Sequence, residues 1–232
     1  GVDLVMNARG AKALEAAAEA IRESHGVNVT TVAADVTTED GRAALLEAAG
    51  EIDILVTNAG GPPPGMWTDW SRDDFIGALD ANMLTPIALM QAALPGMMDR
   101  GWGRVVNITS MSVKAPIPVL GLSNAARTGL TGFVAGTSRQ VAEKGVTINN
   151  LLPGIHATDR ALSLDSGAAE AQGITPEQAA TRYLSHCAAN AAMAGGEYAK
   201  SGTRGGDKCA SSQHQGQGAE RVHHPRHHVK HQ

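Results

Sequence analysis

The sequence predicts an α/β fold in which a parallel sheet is wound with helices on both faces. Short apolar runs recur along most of the chain, and segments with helical spacing of apolar residues separate them. Strands that alternate with helices form parallel β-α-β units, and right-handed crossovers then put helices on both faces. Hydrophobic residues make up 43% of the chain and aromatic residues only 3%, which suits helix-on-sheet packing by small side chains.

Each element has its own signal, an apolar run for a strand and apolar residues three or four positions apart for a helix. In chain order, the predicted strands are Val2 to Met6, Val29 to Ala33, Ile54 to Val56, Arg104 to Ile108 and Thr147 to Leu151. The predicted helices are Ala11 to Ser24, Gly41 to Ala49, a helix that is capped at Ser71 and continues to about Met98, and Ser123 to Glu143. Thr175-Pro176 predicts one more helix start, with proline in the first turn.

The composition changes near residue 190. From there Gly, Ser, Gln and His dominate, and six of the nine histidines fall between His214 and His231. Such a segment buries too little apolar surface to offset the entropy of ordering it. We therefore expect one domain over residues 1–189 and a disordered tail over residues 190–232.

Bulk properties exclude several classes of function. A net charge of −4 gives no reason to expect nucleic acid as a partner, and no apolar stretch is long enough to span a membrane. Cys187 and Cys209 form neither a disulfide framework nor a metal-binding pair, so we expect a cytoplasmic protein without a metal site. The first residues lack the features of a signal peptide and have the pattern of a strand already under way, which predicts a start inside a domain.

Four motifs follow predicted strands or lie in the next helix, in one order. They are Asn58-Ala59-Gly60, Asn82, Asn107-Ile108-Thr109-Ser110, and Pro153-Gly154 with Thr158 four residues beyond the glycine. This series resembles the short-chain dehydrogenase/reductase family over about residues 1–160, and within it the 3-oxoacyl-carrier-protein reductase branch. The resemblance implies a Rossmann-like doubly wound sheet and hydride transfer between a nicotinamide cofactor and a small carbonyl or alcohol substrate.

The resemblance also assigns the cofactor site. It places Asp35 and Val36 at the adenine, and it adds Asn58, Ala59, Gly60, Pro153, Gly154 and Thr158. Relatives that prefer NAD(H) carry an acid near the end of the first strand seen here, whereas this chain has Arg9, whose guanidinium suits a 2′-phosphate. NADP(H) is therefore favoured over NAD(H).

Each of these residues also has a purely structural interpretation. In these alternatives, Arg9 is a solvated loop residue, Asn58 braces a turn, and Asn82 is a mid-helix side chain that points to water. Likewise, Ser110 caps a loop and Pro153-Gly154 is a simple turn.

The chain departs from the family in two ways. The family's first strand and its Gly-rich turn are absent, so we expect a sheet with unpaired edges beside the Val2 and Ile54 strands, weak cofactor binding and poor stability. The family's catalytic Tyr-x-x-x-Lys is also replaced. Ser123, 13 residues after Ser110, stands at the tyrosine position, and Arg127 stands at the lysine position.

A serine hydroxyl is a poor substitute for a phenol as a proton donor. Asn82, Ser110, Ser123 and Arg127 are nevertheless the expected catalytic set. His156 or Lys114 is an alternative acid, although an exposed loop residue is the simpler interpretation of each.

The leading expectation is an NADP(H)-dependent oxidoreductase that forms a homodimer or homotetramer. The alternatives are a catalytically inactive cofactor-binding or regulatory relative, and a nonfunctional fragment.

Overall fold

The computed structural model describes residues 1–154 and positions 166, 167, 169, 170, 173–175, 177, 178 and 181. In this part the strands are β1 (Leu4–Ala8), β2 (Val29–Ala33), β3 (Ile54–Thr57), β4 (Gly103–Ile108) and β5 (Val146–Leu151). The α-helices are α1 (Ala11–His25), α2 (Glu39–Ala49), α3 (Arg72–Leu79), α4 (Thr85–Asp99) and α5 (Gly121–Val141). Strands and helices alternate from β1 to β5, which confirms the α/β class.

Helix ends are set by capping groups. α1 ends at Gly26, whose φ of 62° is left-handed and whose N–H donates to the Arg22 carbonyl. α2 begins two residues before the predicted Gly41, because the Thr38 hydroxyl accepts from the Gly41 N–H at 3.0 Å and caps the helix earlier. At α3 the predicted cap is confirmed, since Ser71 and Asp74 form a reciprocal capping box.

The long helix predicted after Ser71 is interrupted by a π-helical turn at Asp80–Leu84, between α3 and α4. An α-helical bond to the Asn82 carbonyl would need the N–H of residue 86, and Pro86 has none. The Thr85 N–H donates to the carbonyl of Asp80, five residues back, which makes this turn one residue wider than an α-helical turn. Such turns are rare and often lie at functional sites, and this one contains Asn82.

All described strand pairs are parallel, in two sets. β1 pairs with β2, and β4 lies between β3 and β5. In the described part of the chain, β1 and β3 each have one hydrogen-bonded neighbour and are not paired with each other. An unpaired edge was expected beside each of these two strands.

The main core lies on one face of β3, β4 and β5, under α4 and α5. Its central members are wholly or almost wholly buried, namely Met90, Met97, Val105, Leu130 and Val146. On β3 only alternate residues contribute, so Ile54 and Val56 remain exposed on the other face. The core therefore holds the carboxyl ends of three neighbouring strands in place.

Among the remaining described positions, the N–H of Thr175 donates to Gln178 Oε1, and the Gln178 N–H donates to the Thr175 hydroxyl. This reciprocal cap confirms the helix start predicted there. In the described residues, no helix combines the length and apolarity needed to cross a bilayer. The expected domain boundary at residue 190, Thr158, His156 and both cysteines lie outside the described residues.

Candidate functional site

The predicted site residues after β3 meet the π-helical turn. Asn58-Ala59-Gly60 follow the last residue of β3 directly, and Asn82 Nδ2 donates to the Gly60 carbonyl at 3.3 Å. Asn82 is only 3% exposed, so the alternative in which it points to water is wrong. The π-helical turn thus contains a side chain that contacts the loop after β3.

Asn82 also has an unused group. Its Oδ1 atom is buried and accepts no hydrogen bond. Beside it lies a cavity of about 10 Å³, lined by residues that include Asn58, Ala59, Asn82 and Arg127. That volume is about enough for one water molecule or one polar ligand atom. Within the part of the chain that the structure describes, the site therefore presents a buried acceptor without a protein partner.

Ser110 begins the loop after β4. Its hydroxyl oxygen accepts from the Ser112 N–H at 3.1 Å, so it does cap the short helical turn that follows. The same loop is joined to β5 and its exit, because Thr109 N–H donates to Leu151 and Met111 N–H donates to Pro153. Ser110 and Pro153-Gly154 are therefore brought to one edge of the sheet, as predicted.

Ser123 and Arg127 lie one turn apart on α5, and both are buried. Arg127 Nη1 donates to the carbonyls of Ile108 at 2.7 Å and Thr109 at 2.9 Å. Arg127 Nε donates to the Ser123 hydroxyl oxygen at 3.2 Å. The guanidinium thus braces the end of β4, a use that the sequence pattern did not indicate.

A second group of predicted residues lies where β1 and β2 end. The Asp35 carboxylate accepts from the N–H of Thr37 at 3.0 Å and from its hydroxyl at 2.8 Å. These bonds, together with the nearby positive charge of Arg9, hold the pKa of Asp35 below its ordinary value. Arg9 is exposed and close enough to act on Asp35, while Val36 is half-buried.

Two residues that the sequence analysis did not identify brace this second group. Arg42 Nη1 donates to the carbonyls of Val36 and Thr37, at 3.0 and 2.9 Å. Asn7 Nδ2 donates to the carbonyls of Val32 and Ala34, across the end of β2. An asparagine in an otherwise apolar strand was a detectable signal, whereas nothing in the pattern singled out Arg42.

Two tryptophans before α3 and Lys114, one of the alternative acids, differ in how far they are packed. Trp70 lies against Phe75, edge to face, and fills the space beside Gly121. Trp67 is 80% exposed, and Lys114 is also exposed. The described residues contain no cluster of three His, Cys, Asp or Glu side chains with the arrangement of a metal site.

The two groups fit a dinucleotide in part. Gly60 faces open space, since a Cβ there would meet no atom within 4 Å, and Asn82 offers its unpaired acceptor nearby. Arg9 is an exposed cation whose charge acts on Asp35, and a guanidinium suits a phosphate. The described residues contain no Gly-rich turn of the kind that binds a pyrophosphate.

Relatives of known activity resemble the chain in sequence. Acetoacetyl-CoA reductase of Cupriavidus necator is 38% identical over 112 residues, which cover 47% of this chain and 45% of that enzyme. A 3-oxoacyl-[acyl-carrier-protein] reductase of Vibrio harveyi is 37% identical over 169 residues, covering 69% and 68%. The chain thus spans between about half and two thirds of these two curated relatives.

Solved structures agree in fold. L-sorbose reductase of Gluconobacter frateurii, in complex with NADPH and L-sorbose, superposes with a TM-score of 0.70 at 25% identity, covering 77% of this chain and 69% of that one. Sorbitol-6-phosphate 2-dehydrogenase of Erwinia amylovora gives 0.71 at 25% identity, covering 80% and 75%.

A sequence model of the family described as short chain dehydrogenase matches residues 1–168. This match covers well over half of the chain and includes both groups of site residues. The chain therefore belongs to the short-chain dehydrogenase family.

Proposed function

We propose that the protein is an NADP(H)-dependent oxidoreductase that exchanges hydride with a small carbonyl or alcohol substrate. The observation that carries the proposal is the position of three segments, Asn58–Gly60, Asn82 and the Ser110 loop, at the carboxyl ends of neighbouring strands. Arg127 connects them, because it lines the cavity beside Asn58 and Asn82 and donates to the Thr109 carbonyl. Open α/β sheets bind their ligands at this edge. The activities of the relatives from C. necator and V. harveyi support the same class of reaction.

The cofactor would be held by the two groups of residues at the strand ends. We assign Asp35 and Val36 to the adenine, and the backbone of Asn58, Ala59 and Gly60 to the region where the chain comes close to the dinucleotide. Pro153, Gly154 and Thr158 complete the assignment, Thr158 from the sequence alone. When bound, the cofactor supplies or accepts the hydride.

The preference for NADP(H) rests on Arg9. A guanidinium binds a phosphate with two parallel hydrogen bonds, whereas a ribose 2′-hydroxyl is usually matched by a carboxylate. Arg9 is exposed and its charge acts on Asp35, so it stands beside the residue assigned to the adenine. The alternative in which Arg9 is a solvated loop residue predicts that its removal changes the affinity for neither cofactor.

The substrate oxygen would be bound by Ser110 and Ser123. The oxygen of each hydroxyl accepts a bond from the protein, Ser110 from the Ser112 N–H and Ser123 from Arg127, which leaves each O–H to donate. A cationic donor on the Ser123 oxygen favours release of its proton. Asn82, with its unpaired Oδ1, is assigned to a water or polar atom beside the substrate.

The decisive experiment is a titration of the purified chain with NADPH and with NADH, followed by nicotinamide fluorescence. The wild type should bind NADPH more tightly than NADH. Arg9→Ala should weaken NADPH binding about tenfold, as expected for the loss of a charge-assisted hydrogen bond, and should change NADH binding less. Arg139→Ala, an exposed arginine on α5, is the matched control and should change neither affinity.

Turnover is then followed as NADPH absorbance with a panel of ketones. Binding of neither nucleotide by the wild type would defeat the proposal. Binding of NADPH without turnover of any ketone would favour the inactive relative instead. The cytoplasmic location and the homodimer or homotetramer stay predictions. Size-exclusion chromatography with light scattering measures the mass of the assembly.

A further inference from the structure

Asn107 is a wholly buried amide in the middle strand of the three-stranded part of the sheet. Strands of parallel sheets covered by helices are usually almost continuous runs of apolar residues. A buried amide is costly unless its donors and acceptor are paired. Its presence between Val106 and Ile108 therefore calls for a physical reason.

The amide is paired on both sides. Thr57 on β3 donates its hydroxyl to Asn107 Oδ1 at 2.7 Å, and Asn107 Nδ2 donates to Asn150 Oδ1 on β5 at 3.1 Å. The backbone register aligns the same three residues, Thr57 with Asn107 and Asn107 with Asn150. We call these three residues the polar row. It is a chain of side-chain hydrogen bonds that crosses all three strands at one level.

The polar row lies directly before the proposed site. Asn58 directly follows Thr57 in the sequence. Ser110 comes three residues after Asn107, and Pro153 comes three residues after Asn150. The backbone hydrogen bonds between two strands can also form after a shift along the strand, whereas this side-chain donor and acceptor meet only at one register. A small shift of one strand would therefore break the row.

We propose that Asn107 is a positioning residue, which through the polar row fixes the relative heights of the three segments that leave β3, β4 and β5. This inference rests on the proposed function, because those segments carry the residues assigned to cofactor and substrate. Asn107 itself touches neither ligand in this assignment. Its role is to hold Asn58, Ser110 and Pro153 at one level.

Asn107→Leu, made in the 232-residue chain, removes both hydrogen bonds of the polar row and keeps the number and branching of the side-chain heavy atoms. The control is Val105→Ala, a wholly buried residue on the same strand, which loses packing but no hydrogen bond. At urea concentrations well below either unfolding transition, Asn107→Leu should weaken NADPH binding about tenfold, the factor that corresponds to one hydrogen bond. It should also shift the emission of bound NADPH, while Val105→Ala leaves affinity and emission unchanged.

If Asn107→Leu does not fold, two less disruptive substitutions of Thr57 test the role of the polar row. Thr57→Ser keeps the hydroxyl and should bind NADPH like the wild type, whereas Thr57→Val should weaken binding. The double variant Thr57→Val with Asn107→Leu, where folded, should bind no more weakly than Asn107→Leu alone, because both act through one network.

Each outcome is decisive. Failure of the wild type to bind NADPH overturns the proposed function and the inference with it. Binding by the wild type that is unchanged in Asn107→Leu and Thr57→Val overturns the inference alone. Equal losses in Asn107→Leu and Val105→Ala also overturn it, because they would assign the polar row to stability only.

Discussion

Arg127 Nε lies 3.2 Å from the Ser123 hydroxyl oxygen, one turn away on α5, while its Nη1 holds the carbonyls at the end of β4. By the resemblance to the family, the pair is expected at the positions of a Tyr-x-x-x-Lys motif, so we infer that the guanidinium fills the space where a phenol would need room. We predict that Ser123→Tyr together with Arg127→Lys raises carbonyl reduction about 100-fold or more, the usual contribution of a positioned proton donor. The rate of NADPH oxidation measures it.

Ser123→Tyr alone should show no such gain, because Arg127 still occupies the space beside residue 123. Arg127→Lys alone should also fail, because a lysine without a phenol has no proton donor to assist. A double variant that binds NADPH but reduces ketones no faster than the wild type would contradict this assignment.

The π-helical turn that holds Asn82 should depend on one proline. Pro86→Ala restores the N–H that an α-helical bond to the Asn82 carbonyl requires, so the helix should become regular and more stable by about 1 kcal/mol. Asn82 should then leave the Gly60 carbonyl, and NADPH should bind more weakly. Urea unfolding and the NADPH titration measure the two effects.

Pro95→Ala is the matched control for this prediction. Pro95 also lies inside α4 but is exposed and two turns beyond Pro86. Its replacement should raise stability and leave NADPH binding unchanged. If Pro86→Ala behaved in the same way, the π-helical turn would have no part in the site.

Gly41 is required by a close approach between α2 and the chain after β2. A Cβ at this position would lie 1.9 Å from the Asp35 carbonyl oxygen, a distance that forces the backbone to move. We predict that Gly41→Ala displaces Asp35 and weakens binding of NADPH and of adenosine 2′,5′-bisphosphate alike. Gly132→Ala, at a helix position with open space, should instead stabilise the protein by about 1 kcal/mol and leave binding unchanged.

The Asp35 carboxylate gives a pH-dependent prediction. Its pKa lies below the ordinary value of 3.8, so its contribution to folding stability is present above that pH and is lost as the pH falls through the lowered pKa. Thr37→Val removes one of the two bonds from Thr37 and should raise the pKa of Asp35 towards its ordinary value, so that the contribution becomes smaller and its loss is complete at a higher pH. Carboxyl-carbon NMR titration measures it, and an unchanged pKa would contradict the assigned cause.

The sequence predicted the order of the elements well, because most of them depend on local signals. Apolar periodicity located the five strands, and Ser71 showed where α3 begins. The π-helical turn was missed because apolar spacing is nearly the same in a helix with or without one extra residue. The signal was Pro86, four residues after Asn82, and it is meaningful only when backbone donors are counted.

The sequence predicted better where the candidate residues lie in the fold than which contacts they make; their functional roles stay predictions. The motifs placed Asn58, Asn82, Ser110 and Pro153 at one edge because the topology brings strand ends together. The use of Arg127 as a brace was not predictable, because its partners are backbone carbonyls 18 and 19 residues away. Backbone acceptors carry no sequence signal, and the same limit applies to Arg42.

The division of the strands into two sets has a consequence for how the protein opens. The buried residues around β1 and β2 do not belong to the main core; they are Leu14, Ala18 and Val29. Helix α2, by contrast, packs against the main core through Leu45 and Leu46. β1 and β2 should therefore unfold as a separate cooperative unit, with amide hydrogens that exchange while those of β4 remain protected. If Arg9 and Asp35 bind the adenosine end of the cofactor, as we propose, a molecule in which this unit is open would be unable to bind that end. The observed affinity then equals the affinity of the closed form multiplied by the fraction of molecules that are closed. Added nucleotide should therefore slow amide hydrogen exchange in β1 and β2 first.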